Sequence, residues 1–136
     1  MRSNEFKSGF RVNLEFLRGK NKEEALQYFR SILGEPSDIE EYEGKVEYFR
    51  YDGEYQPLKE YSYGTYKTKD DGWFVDKIIC EGCDGEDLGF YVKIDYIQKT
   101  VSELMEKFKV EEKDIMIFSY TWYNGSDEPR LMQPRK

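Results

Sequence analysis

The chain has 136 residues, of which 36% are charged and 17% aromatic, and its 21 basic and 28 acidic side chains leave a net charge of −7. That length suits one domain able to bury roughly two-thirds of the surface its unfolded chain exposes, and the density of rings argues against an intrinsically disordered chain. A surface this acidic disfavours direct contact with nucleic acid, which needs Lys and Arg against the phosphates, whereas a basic protein would be attracted and steered.

No apolar run approaches the ~20 residues of a membrane span, and the opening residues MRSNEFKSGF lack the apolar centre of a signal peptide. A cytoplasmic location with no membrane partner is the expectation. The charge is uneven along the chain: residues 1–20 hold five basic and two acidic groups, and residues 21–60 hold five and eleven.

The first predicted element is a strand. Phe10, Val12, Leu14 and Phe16 alternate with Arg11, Asn13 and Glu15, the period of a half-buried strand with its apolar side inward. Asn21 and Glu24 then form a capping box ahead of Ala25, Phe29, Ile32 and Leu33 at helical spacing, and Gly34 and Pro36 stop the helix. Glu35 to Glu43 is predicted as a charged loop. From Gly44 strands and turns repeat: Lys45–Tyr51, a turn at Asp52-Gly53 or across Gln56-Pro57, Tyr61–Thr68, a turn at Asp70-Asp71-Gly72, and Trp73–Cys80. These three strands form an antiparallel meander.

Glu81 to Gly89 reads as a glycine-rich acidic loop, and Phe90, Val92, Ile94 and Tyr96 alternate as a further strand. Thr100, with Glu103 as its box partner, is predicted to start a second helix striped by Val101, Leu104, Met105 and Phe108. A last strand, Ile115–Tyr123, is bulky on both faces and is placed inside the sheet. Together these give an α+β two-layer sandwich in the order β-α-β-β-β-β-α-β: a mostly antiparallel sheet of about six strands with two helices on one face and the other face free. Residues 1–123 are taken as one domain and 124–136 as an extended or frayed tail.

Two constellations carry the functional expectations. Seven of the 12 tyrosines fall between Tyr42 and Tyr66, interleaved with Glu40, Glu41, Glu43, Glu47, Asp52, Glu54 and Glu60. Strands favour Tyr and acids decorate solvent faces, but a protein interface explains why the two excesses coincide: Tyr gives rigid area with a polar tip, and carboxylates select an electropositive partner. Alternate strand residues lie about 7 Å apart, close to the separation of phosphates along one nucleic-acid strand, so acids on strands can imitate nucleic acid. The expected contact is Glu40, Glu41, Glu43, Glu47, Asp52 and Glu54 as charges with Tyr48, Tyr51 and Tyr55 as anchors. Tyr61, Tyr63 and Tyr66 are assigned to packing.

The second constellation is Cys80-Glu-Gly-Cys83 with the acids behind it. Neighbouring carboxylates raise a thiol pKa, which opposes redox use, and zinc requires four ligands where the chain has two Cys and no His. A metal or small-ligand site would have to draw on Cys80, Cys83, Asp84 and Glu86, or share ligands across a dimer. The acids Glu81, Asp84, Glu86 and Asp87 do not follow the calcium-loop spacing. No phosphate loop, serine elbow or nucleotide fingerprint is present, and without His the commonest general acid-base group is missing.

The resulting expectation is a non-enzymatic, cofactor-free inhibitor that masks a basic partner, a nuclease or other nucleic-acid-binding protein. By size and charge alone it compares with anti-CRISPR and toxin-immunity proteins. The alternatives are a sensor or enzyme using the Cys80–Asp87 loop, and a homo-oligomeric structural protein whose aromatic face pairs with itself.

Overall fold

A computed structural model describes residues 4–42, 45–59, 72–83 and 91–123. The described elements are β1 (Asn4–Leu14), α1 (Lys22–Leu33), β2 (Asp38–Tyr42), β3 (Lys45–Arg50), β4 (Tyr55–Lys59), β5 (Trp73–Cys83), α2 (Ile94–Phe108) and β6 (Ile115–Tyr123). The six strands form one antiparallel sheet in the order β2-β3-β4-β5-β1-β6. The class is the expected α+β sandwich, and β2 to β5 run as a meander.

One core lies between the helices and one face of the sheet. Phe10, Val12 and Leu14 of β1 enter it with Trp73 and Val75 of β5, Ala25, Leu26 and Phe29 of α1, and Leu104 and Phe108 of α2. Rings fasten α1 to the sheet: Phe29 meets Phe49 and Trp73 at 5.7 Å each, and Phe49 stacks on Trp73 at 5.1 Å. Each such pair contributes about 0.5–1.5 kcal/mol beyond its buried area. The capping box forms as expected, with Asn21 Oδ1 accepting from the Glu24 amide at 2.9 Å. Tyr28 Oη donates to the Phe108 carbonyl at 3.1 Å and ties the two helices together.

Several expectations are overturned. Phe16 lies beyond β1 in a 3-10 turn (Glu15–Leu17), where it is exposed and rests its ring edge-on against Tyr28 at 5.0 Å. Residues 38–42 are no loop. Asp38–Tyr42 is an edge strand, because its backbone pairs with β3 and sets Ile39 opposite Phe49 on the core side. Of the two turns offered as alternatives, the one at Asp52-Gly53 forms, and Gln56-Pro57 belongs to β4, with Pro57 buried opposite Val75. The strand expected over Tyr61–Thr68 falls outside the described residues, as do the acidic loop from Asp84 and the tail from Asn124.

Of the strand expected over Phe90–Tyr96, Phe90 lies outside the described residues, and from Ile94 the chain is the first turn of α2 instead. Ile97, Val101, Leu104 and Phe108 share a helical stripe against the core, and from Ile94 onward that period overrides the two-residue one. Thr100, expected as a cap, is buried in mid-helix. β6 pairs only with β1 and ends the described sheet rather than lying inside it.

The second face of the sheet is not free at its centre. Arg11, expected toward solvent, is 0% exposed; Asp76, Leu58, Phe74 and Phe118 on that side are between 1% and 6% exposed. A charge so deeply placed requires a partner. Asp76, directly across from Arg11 in the ladder, supplies it.

Candidate functional site

The acidic aromatic stretch is built from β2, β3 and the turn into β4. In β2 and β3 Glu40 stands opposite Tyr48, and the register slips at Glu40/Glu41 so that Glu47 is the extra residue of a bulge. Glu40 and Tyr48 therefore share the second face with Arg50, which donates to Glu40 Oε1 at 2.5 Å and to Tyr48 Oη at 3.4 Å. Glu41 turns the other way. Its carboxylate takes the Lys22 ammonium at 2.7 Å, at the start of α1, and holds that ammonium above its ordinary range.

At the far end of β3 the chain turns through residues 51–54. Tyr51 packs against the core and donates its hydroxyl to the Gly34 carbonyl at 2.8 Å. Burial lifts its phenol from 10.0 to about 12, with nearby Glu35 adding to the shift. Asp52 and Glu54 are exposed, and Glu54 reaches Lys77 Nζ at 3.5 Å. The Tyr55 ring meets Phe108 edge-on at 5.7 Å and lies under two ammonium groups, Lys77 at 5.5 Å and Lys107 at 5.1 Å from its centroid. Burial raises the Tyr55 phenol, against the pull of Lys77.

The predicted contact residues thus occupy three places rather than one patch: Glu40 with Tyr48 on the second face, Glu41 beside α1, and Tyr51, Asp52, Glu54 and Tyr55 at the turn. Glu43 lies outside the described residues, as does the Glu47 side chain. Three of the carboxylates already hold a cation of the same chain.

Cys80 and Cys83 both lie in β5 rather than in a turn. Three residues of extended chain set their Cα atoms about 10 Å apart, beyond the ~7 Å reach of a disulfide. Cys80 is half-buried and free. Asp84 and Glu86 fall outside the described residues, and among those described no three metal-ligating side chains gather.

A scan against protein-family models finds no match, and comparisons with curated proteins and with solved structures find none either.

Two surface features escape a reading by alternation. Tyr91 is 97% and Ile94 68% exposed where the chain enters α2. Met116 and Ile117 are exposed on β6, the strand that ends the described sheet. No described helix is long and apolar enough to cross a membrane.

Proposed function

We propose that the chain is a small acidic binding protein that masks a basic, nucleic-acid-handling protein, in the manner of anti-CRISPR or toxin-immunity proteins. The observation that carries this reading is the placement of carboxylates on rigid backbone: Asp38, Glu40 and Glu41 on an edge strand, and Asp52 and Glu54 at the adjoining hairpin turn. Carboxylates held in fixed positions complement an electropositive surface without first having to be ordered.

The contact we assign wraps the β2–β4 end of the sheet, with Glu41, Asp52 and Glu54 as its exposed charges and Tyr48 and Tyr55, on opposite faces, as half-buried anchors. Glu40 contributes through its pair with Arg50. Tyr51 is left to packing by its hydrogen bond to Gly34. The surface pairs that now hold Glu41 and Glu54 are each worth about 0.2–1 kcal/mol, so an incoming Arg or Lys exchanges with them at little loss. Asp38 and Glu40, two residues apart on β2, stand about 7 Å from one another along the strand, the spacing an imitation of phosphates requires.

The test is capture followed by competition. A protein retained by the immobilised chain from its native host is purified and loaded with labelled nucleic acid, and the free chain is added. Release of the label supports masking; a retained partner that keeps its nucleic acid bound contradicts it.

A further inference from the structure

We propose that the outer edge of β6 pairs with the same edge of a second copy of this chain, joining two sheets into one across a twofold axis. The two ends of the described sheet are built differently. β2 is five residues long, three of them acidic, and carries a bulge against its neighbour; shortness, charge and bulges are the devices by which sheets guard an edge. β6 has none of them. It runs nine residues, Ile115–Tyr123, in unbroken register with β1, and holds no proline and no charged side chain in a chain that is 36% charged.

Its exposed groups fit a strand laid alongside. Ile117 lies opposite Phe10 on the helix side of the sheet and is 57% exposed; Met116 lies opposite Arg11 on the second face and is 43% exposed. An added strand would cover apolar surface on both faces at once while taking up the edge N–H and C=O groups. The occupant is a second copy for two reasons. An antiparallel edge is its own complement under a twofold, residue i meeting j as j meets i. The net charge of −7 also opposes self-association less at β6 than at β2, since of the two strands that end the described sheet β6 carries no charge.

Sedimentation or light scattering of the full chain over a concentration series tests this, with Met116→Lys and Ile117→Lys as separate variants checked for native circular dichroism. The expected result is a species of twice the 16.3 kDa chain mass, with each lysine weakening self-association about tenfold or more, since it would place a charge without a partner in an apolar contact. A wild-type chain that stays monomeric at its highest soluble concentration overturns the proposal, whether or not hydrogen exchange shows β6 covered by another part of the same chain. A dimer that survives both folded variants overturns it equally, because its interface is then elsewhere.

Discussion

Arg11 and Asp76 stand directly across from each other on β1 and β5, and two guanidinium nitrogens meet the two carboxylate oxygens at 2.6 Å each. The rings of Phe74 and Phe118 flank the guanidinium at 5.5 and 5.3 Å. Burial pushes the Asp76 carboxyl upward while Arg11 pulls against it, and the guanidinium itself stays charged at any working pH. Arg11→Met or Asp76→Leu alone therefore leaves a buried charge without its counterpart and should cost about 3–5 kcal/mol. Arg11→Met with Asp76→Leu should cost much less than the sum of two single losses. Denaturant unfolding of the three variants measures this, and additive losses would contradict a coupled pair.

Gly9 sits where β1 slips register against β5, and a Cβ added there would lie 2.0 Å from the Lys77 carbonyl oxygen. The clash is with backbone, which cannot swing aside. Gly9→Ala should lose about 3 kcal/mol, at the upper end of overpacking losses. Gly19, at φ +76 with open space around it, should lose only about 1 kcal/mol on the same change, from left-handed strain. Urea midpoints for the two variants decide whether the bulge is as tight as described.

Much of the fold was legible in the sequence, and the failures have one physical origin. The first strand's core face and the capped first helix could be read because each shows a single period beside a clear cap. The stretch 90–96 misleads because four apolar residues alternate there, and only the continuation through Ile97, Val101 and Leu104 at helical spacing shows that Ile94 begins a helix. Asp38–Tyr42 hid its strand because backbone pairing with β3, a non-local contact, overrides its poor propensity. Alternation points Arg11 toward solvent, because it shows which residues share a face and not whether that face is covered. In the candidate contact the acids and rings were legible as an excess. Their division among three places depends on a bulge and on strand order, which no local pattern carries.

Alkaline stability should report the tyrosines that tie the two helices together and hold the end of α1 to the chain beyond β3. Burial raises Tyr28 and Tyr51 above the ordinary 10.0, Tyr51 to about 12. A group with a raised folded value keeps its proton longer in the folded chain than in the unfolded one. Its contribution is therefore complete below pH 10 and falls away as the pH climbs through 12. Thermal melts from pH 9 to 12 should show falling stability, less steeply in Tyr51→Phe. At neutral pH that variant should lose about 1 kcal/mol, the worth of its hydrogen bond to Gly34.

The masking proposal rests on Glu41, Asp52 and Glu54 acting together on a basic partner, and calorimetric titration of the captured protein at low and moderate salt tests it most directly. With Glu41→Lys, Asp52→Lys and Glu54→Lys combined, affinity should fall about a hundredfold, since rim charges reverse from attraction to repulsion, and the salt dependence seen with the wild-type chain should flatten or invert. An affinity and a salt dependence both unchanged in the folded triple variant would contradict the account.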